Sequence, residues 1–266
     1  MTSPRPTSAG RIALALLGAA PKGSLTAPAL VSAGELLGQS ANAMRVGLSR
    51  LVSSGALRLE RRGHYSLADD RRARAAHVRT WRTGFARRVR WQGSFVGVLT
   101  ADLPRRNAAL VARRERALEL AGLRVLGHGL FVRPDNLEGG ATALGTHLAR
   151  LGLDAEAEVL EVQLDSAQLA RVLPRWAVAA DARRADQLTA RVKTLVRALP
   201  RRGWKKASAD SFWLGDEVLR FLSRDPLLPE QLADLAPRRR LADAMSVLDE
   251  RGHALWQSIL EPLERP

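Results

Sequence analysis

One amphipathic stretch, residues 39–55, constrains the fold of this chain more than any other. At helical spacing Met44, Gly47, Leu48 and Leu51 share one narrow apolar face. Ser40 is of the residue type that caps the start of a helix, and Gly55 is of the type that ends one in a left-handed turn. A helix with so narrow an apolar face packs on a small domain along one side and leaves its opposite side in solvent.

The opposite side of this predicted helix carries Asn42, Arg45, Val46 and Ser49. Asn pairs with adenine, Arg with guanine, Ser with either base, and an aliphatic side chain contacts the thymine methyl group in the major groove of DNA. The pattern alone is equally typical of an ordinary surface helix with a few polar residues. The flanking segments favour DNA reading.

Those flanking segments predict a helix-turn-helix followed by a β-hairpin. Residues 11–20 form a first predicted helix, residues 21–24 break it, and residues 29–38 form a second helix before a tight turn. After Gly55, apolar residues alternate on two arms around a turn at residues 61–63, which predicts a wing with arginines at its tip. We expect Arg50, Arg61 and Arg62 to hold phosphates; the alternative for the wing is a solvated hairpin.

The distribution of charge supports a nucleic-acid partner. The formal net charge is +15, and residues 1–90 hold 16 basic and 4 acidic side chains. The remaining 176 residues hold 26 basic and 23 acidic side chains. High Arg usage across a proteome would explain the total but not the asymmetry. A basic N-terminal third before a near-neutral remainder is typical of a DNA-binding module joined to a sensing or assembly module.

Composition also predicts the compartment. The chain has no cysteine, which suits a reducing compartment. The apolar run of residues 12–20 resembles a short secretory signal, but it fits the first helix of the DNA-binding unit better. No apolar run reaches the ~20 residues that span a bilayer. We therefore expect a cytoplasmic protein without membrane contact.

The rest of the chain predicts an α+β domain and a helical one. Residues 69–90 form an Arg-rich helix or linker, by default a solvated charged segment. Strands and helices then alternate, and form a β-α-β-β-α-β arrangement if the middle strand region is a paired unit. The predicted elements are strand 91–100, helix 107–120, strand region 124–132, helix 140–151 and strand 157–164. From Ser166 the pattern is helical, with a break at 200–203 and a further helix starting at Asp225-Pro226.

The predicted fold class is therefore α+β with four parts. They are an N-terminal winged helix-turn-helix (1–68), a basic linker helix (69–90), a central ferredoxin-like βαββαβ domain (91–165) and a helical C-terminal domain (166–266).

Three blocks of sequence, the second with two motifs, resemble the phenylacetic acid degradation operon repressors of bacteria, the PaaX family. Residues 44–51 (MRVGLSRL) resemble the family's V-R-T-A-L-x-R-L, and residues 64–67 (HYSL) its F/Y-Y-x-L. Residues 91–93 (WQG) resemble the start of its W-D-G-x-W. Most specifically, residues 220–232 (RFLSRDPLLPEQL) resemble its R-R-F-L-F-R-D-P-x-L-P-x-E-L-L. The blocks occur in the family's order over essentially the whole chain.

The resemblance implies a function and a way of regulating it. It implies a homodimer that represses by occupying a palindromic double-stranded DNA operator and is released by an acyl-CoA, typically phenylacetyl-CoA. The wing is about two residues shorter than the family's usual form. Asp216 stands where the family commonly has His, and residues 234–238 replace the family's Trp and Gly. The inducer of this chain is therefore expected to differ from the family's in detail.

Two other functions stay open at this point. A metal-dependent nuclease would use Asp102, just beyond the first central strand, paired across a dimer to hold Mg²⁺. A DNA-binding assembly platform would lack a small-molecule effector. None of the five histidines has zinc-ligand spacing, and G-x-S-x-G and Walker loops are absent from the sequence. We therefore expect a protein that is not an enzyme and has no resident cofactor or metal.

Overall fold

Helices and antiparallel strands alternate through the first two-thirds of the chain, and helices fill the last third. The computed structural model describes residues 8–20, 23–61 and 63–264. Within these residues the strands form one sheet of three strands and one of four. The α+β class predicted from the sequence is confirmed.

The N-terminal region places three helices against a small sheet. Its elements are α1 (Ala9–Ala19), β1 (Ser24–Thr26), α2 (Ala27–Leu36), α3 (Ala41–Ser53), β2 (Leu57–Arg61) and β3 (His64–Leu67). The sheet order is β1-β3-β2, and both pairings are antiparallel. The sequence reading missed β1, because three residues between a Lys-Gly break and a helix give no visible alternation.

Side-chain caps fix where these helices begin. The hydroxyls of Ser8, Thr26 and Ser40 accept hydrogen bonds from backbone N–H groups in the first turns of α1, α2 and α3 respectively. The helices then bury one face each in a shared core, which also receives the hairpin. Its largest fully buried members are Ile12, Leu17, Leu30, Met44 and Leu48.

The central sheet has the predicted strand–helix alternation. Its elements are β4 (Phe95–Leu99), α5 (Ala108–Leu120), β5 (Arg124–Gly127), β6 (Leu130–Pro134), α6 (Gly140–Leu151) and β7 (Glu158–Val162). The strand order is β5-β6-β4-β7, with every neighbouring pair antiparallel. The region predicted at 124–132 is two paired strands, and β4 begins at Phe95 rather than at Trp91.

The central sheet is covered on both faces. One apolar cluster joins Val96 and Val98 of β4 to residues of α5 and α6, including Leu118 and Leu148. A second cluster joins Phe95 and Val132 to a buried Trp176 outside the sheet. Alternate residues of β4 thus enter different clusters, which explains why this strand reads as a continuous apolar run.

The remaining helices are α4 (Asp69–Arg79), α7 (Ser166–Val172), α8 (Val178–Ala198), α9 (Trp204–Leu222) and α10 (Ala236–Glu264). Asp165 caps α7 in a reciprocal capping box with Gln168. The prediction of a helix starting at Asp225-Pro226 is wrong. Residues 225–235 are non-helical, because their backbone groups hydrogen-bond to buried side chains of the central region instead.

The chain divides into two compact units. Unit 1 comprises residues 1–76, 191–217 and 245–266, and unit 2 comprises residues 77–190 and 218–244. The four-part domain division made from the sequence stays a prediction. In the described part of the chain, no helix is both long enough and apolar enough to cross a membrane.

Candidate nucleic-acid interface

Helix α3 is held in unit 1 by its narrow apolar face. Met44 is fully buried and Leu48 is 2% exposed, while Leu51 is half-buried. Two glycines let the neighbouring helices approach closely. A Cβ at Gly34 of α2 would overlap the Met44 side chain, and a Cβ at Gly47 would lie 3.1 Å from Ala9 Cβ of α1. The face predicted to be apolar is therefore the buried one, and it is in contact with both preceding helices.

The outer face of α3 carries the four residues predicted to read bases. Asn42, Arg45, Val46 and Ser49 are all exposed, and Val46 keeps 40% of its surface in solvent. Spacings of three, four and seven residues place these side chains along one side of the helix. The structure thus brings the predicted set together on one solvent-facing surface.

The charges on α3 are unpaired within the described residues. Neither Arg45 nor Arg50, both exposed, has an acidic partner in that part of the chain. The helix has no acidic residue of its own, since residues 41–53 contain none. Two guanidinium groups without counter-charges form a local positive field that attracts a polyanion.

The hairpin next to α3 carries further basic groups. Leu57 and Leu67 pair across β2 and β3 and are buried, which anchors the hairpin in the unit 1 core. Arg61, at the end of β2, donates a hydrogen bond of 2.9 Å from Nη2 to His64 Nε2. Arg62, also predicted to hold phosphate, lies outside the described residues.

The sequence reading missed Arg58 and the exposure of Leu59 in this hairpin. Arg58 is exposed and donates from Nη1 to Asp69 Oδ1 at 3.0 Å. Leu59 pairs with Tyr65 but keeps 53% of its surface in solvent, although the alternation placed it with the buried Leu57. Leu59 is exposed because this end of the strand projects from a small core and has no second layer to cover it. The polar residues on either side of Leu59 were the available signal in the sequence.

The residues that carry the most specific resemblance, 220–232, are engaged in packing. Arg133 is 4% exposed and donates to the carbonyl oxygens of Ala121 (2.6 Å) and Pro226 (3.1 Å). Asn136 is fully buried and donates from Nδ2 to Leu227 O at 2.7 Å. Burial lowers the pKa of Arg133 to about 10, so the group stays protonated at neutral pH.

The carboxylate of Asp225, in the same segment, is held by an ion pair with Arg238. Arg238 is 9% exposed and forms ion pairs with Asp225 and, at 3.2 Å, with Asp181. Desolvation is the largest effect on Arg238 and lowers its pKa to about 10. The contacts of Asp225 and Pro226 therefore hold this non-helical segment in place.

The four C-terminal tryptophans have different environments. Trp176 is 1% exposed and donates from Nε1 to Gly122 O at 3.0 Å, so it is a core residue of unit 2. Trp213 and Trp256 are half-buried and pack with Phe212 against the core of unit 1. Trp204 is 55% exposed.

The nuclease alternative depends on Asp102, which lies in an exposed turn after β4. In the described ranges, no group of three or more His, Cys, Asp or Glu side chains is arranged to hold a metal ion. The pairing of Asp102 across a dimer, which the sequence-based hypothesis supposes, stays a prediction.

Comparisons with known proteins assign no family. No family model and no curated protein matches this sequence. Among solved structures, it is similar to an uncharacterized protein, Rv0674 from Mycobacterium tuberculosis, with 21% identity over 94% of this chain and 98% of that one and a TM-score of 0.49.

Proposed function

We propose that this protein is a DNA-binding transcriptional repressor in which α3 reads the operator. The observation that carries the proposal is the two-sided character of α3. Its inner face is buried against α1 and α2, whereas Asn42, Arg45, Val46 and Ser49 face solvent together. A helix held so firmly on one side and so polar on the other suits the major groove.

The element order supports a winged helix-turn-helix for unit 1. Helix α2 and helix α3 are joined by a short turn, and a two-stranded hairpin directly follows α3. The short strand β1 pairs with the second arm of that hairpin, which closes the small sheet beside the helices. In such a module the second helix of the pair enters the major groove and the wing lies beside it along the backbone.

The central strand order supports a ferredoxin-like arrangement. The order β5-β6-β4-β7, with α5 and α6 packed on β4 through one apolar cluster, is that of a split β-α-β-β-α-β unit. A domain of this kind joined to a DNA-binding module is typical of a sensing or dimerising role.

The roles of the site residues follow from their chemistry. Arg45 would bind guanine O6 and N7, Asn42 adenine, Ser49 either base, and Val46 the thymine methyl group. Arg50, Arg61 and Arg62 would hold phosphates and fix the register of α3 on the duplex. The exposed, unpaired state of Arg45 and Arg50 means that binding DNA breaks no ion pair among the described residues.

The regulation we propose comes from the resemblance to the PaaX family. The repressor would act in the cytoplasm as a homodimer on two operator half-sites about one helical turn apart. An acyl-CoA such as phenylacetyl-CoA would favour a dimer whose recognition helices no longer match those half-sites. The regulated operon would serve phenylacetate or a related aromatic compound.

A gel-shift titration on the DNA upstream of the protein's own gene tests the proposal. We expect a retained complex that competes poorly with random duplex and dissociates when phenylacetyl-CoA is added. If random duplex displaces the protein as effectively as the upstream DNA does, the proposal of a specific operator is contradicted. Retention that no CoA ester affects would instead indicate an assembly platform without effector. Mg²⁺-dependent cleavage lost in Asp102→Ala would indicate the nuclease.

A further inference from the structure

A second basic segment lies far along the chain from the wing. Residues 187–209 contain seven Lys and Arg and no acidic residue. Counting charge over the whole of residues 91–266 hides this segment, because acidic residues elsewhere cancel it. Two of its arginines are paired with acids outside the segment: Arg191 with Glu217 at 2.8 Å, and Arg202 with Asp210. The other basic side chains of the segment supply its net charge.

These basic side chains are concentrated at one corner between two helices. Helix α8 ends at Ala198, a 3-10 turn spans Leu199–Arg201, and α9 begins at Trp204. Leu199 and Ala207 are buried and anchor the two sides of the corner. The ion pair of Arg202 with Asp210 ties the turn to the second turn of α9.

The outward side of this corner is basic and aromatic. We name as the basic corner five residues that are all exposed: Arg197, Arg201, Trp204, Lys205 and Lys206. The ammonium group of Lys205 lies 5.5 Å from the centre of the Trp204 ring. Trp204 keeps 55% of its surface in solvent, so its ring and its indole N–H are both open to a ligand beside these cations.

The basic corner belongs to the same unit as α3. Ala209, Phe212 and Trp213 of α9 pack against the apolar cluster that α1, α2 and α3 share. Arg11 of α1 forms an ion pair of 3.0 Å with Asp216 of α9. Since Trp204 precedes Ala209 by five residues, the corner lies about 7–8 Å along the helix from that packing contact.

We propose that the basic corner is a second DNA contact, which binds the phosphate backbone of duplex flanking the bases read by α3. The four cations of the corner neutralise phosphates, and the Trp204 indole N–H donates to a phosphate oxygen. The inference rests on the proposed function for its choice of DNA as the polyanion.

An anionic membrane fits the corner less well than DNA. Stable binding to a membrane surface buries a continuous apolar face. Among the large apolar residues of the described chain, Trp204 is the one exposed at this corner, and Val46 and Leu59 lie on α3 and the wing. A single indole among four cations suits a phosphate backbone better than an acyl boundary.

The salt dependence of binding by the full chain tests the proposal. We expect Lys205→Gln/Lys206→Gln to reduce the slope of log K against log salt by about 2 and to weaken binding to a long duplex about 10-fold near 0.1 M salt. The matched control is Arg171→Gln/Arg183→Gln, which removes two exposed charges from unit 2. An equal change in both variants would overturn the proposal, because it would reflect net charge alone.

The length of the duplex supplies an independent readout. The wild-type chain should bind more tightly when the operator is extended by flanking random sequence, and the Lys205/Lys206 variant should lose that gain. The variant should keep the wild-type preference for operator over random duplex. If the proposed function is wrong, the wild-type chain itself should show no such preference. Loss of binding to phosphatidylserine vesicles, with the DNA salt slope and length dependence unaltered, would assign the corner to a membrane and refute a DNA contact. Equal melting temperatures confirm that the variants fold.

Discussion

The arginines of α3 and three buried arginines of unit 2 use the same side chain in opposite ways. Arg45 and Arg50 are exposed and have no acidic partner within the described residues. In unit 2, Arg114, Arg133 and Arg238 are all less than 10% exposed. Arg114 donates to both oxygens of Asp154, at 2.7 and 3.0 Å, and these hydrogen bonds hold the pKa of that carboxyl below its usual range.

This contrast separates charge that organises the fold from charge available to a ligand. A buried guanidinium must have its N–H groups satisfied by the protein, since leaving them unpaired costs more than the interaction itself contributes. An exposed guanidinium without a partner contributes little to folding and keeps its full capacity to bind. Mutation of a buried arginine should therefore lower the stability of the fold, whereas mutation of an exposed arginine should weaken DNA binding.

The largest effect should be the loss of stability on mutation of Arg133, a buried arginine that donates to backbone carbonyl oxygens. Arg133→Met keeps most of the buried stem but leaves the carbonyl oxygens of Ala121 and Pro226 without a donor. We expect the free energy of unfolding to fall by about 3 kcal/mol, with DNA affinity per folded molecule unchanged. Urea unfolding measures the loss. The exposed Arg183→Met is the control, and an equal loss there would remove the distinction.

A pH titration should sharpen the account of unit 2. His147 Nε2 lies 3.0 Å from His77 Nδ1, and His77 Nε2 lies 2.8 Å from Ser223 O. Burial lowers both pKa values, and desolvation, with the nearby His77 and Arg87, lowers that of His147 to about 4. The folded pKa is below the unfolded one, so the unfolded state binds more protons between about pH 6.5 and 4.

Stability should therefore fall by about 1–2 kcal/mol as the pH falls through that window. His147→Gln keeps a donor and does not titrate, so it should remove the part of this dependence that comes from His147 in denaturant unfolding. The exposed His253→Gln is the matched control. A variant at position 147 that retains the full dependence would show that other groups cause it.

Two mid-helix glycines should give effects of opposite sign. Gly47→Ala puts a Cβ 3.1 Å from both Ala9 Cβ and the Gly10 backbone nitrogen, which forces α3 away from α1. We expect a loss of about 1–2 kcal/mol and weaker operator binding. Gly145→Ala in α6 meets its nearest atom, in Val159, at 3.5 Å and should stabilise by up to about 1 kcal/mol. Thermal unfolding of both variants decides whether close packing of α3 matters.

The smallest of these effects concerns the phosphate contact of α3. Arg50→Ala should leave stability nearly unchanged and weaken binding to operator and random duplex alike, by about 1 kcal/mol. The slope of log K against log salt should fall by about 1. Fluorescence anisotropy over a salt series measures both, and a loss confined to the operator would move Arg50 into the base-reading set.

Periodicity and caps in the sequence predict much of this fold. The spacing of Met44, Leu48 and Leu51 predicts the buried face of α3, and Gly140–Leu151 was predicted with its observed bounds. Local patterns could not predict residues 225–235, because partners such as Arg133, about 90 residues earlier, hold that segment. The close packing of α3 against α2 at Gly34 and against α1 at Gly47 is likewise a feature of the tertiary structure that a single sequence does not reveal.

The candidate site divides in the same way. The outer face of α3 follows from helical geometry and was predicted residue by residue. The basic corner was missed because charge was counted over long segments, although a local count over residues 187–209 reveals it. Packing between distant elements decides which arginines are buried. Composition alone therefore does not distinguish the buried Arg133 from the exposed Arg45.

The central claim is that the outer face of α3 chooses the DNA sequence, and Arg45→Ala tests it most directly. The measurement is the ratio of affinities for the protein's own upstream DNA and for a scrambled duplex of equal length, at one fixed salt concentration. We expect the variant to remain folded and to lose about 1–3 kcal/mol of that discrimination. An unchanged ratio in the folded variant would contradict the claim that Arg45 reads a base.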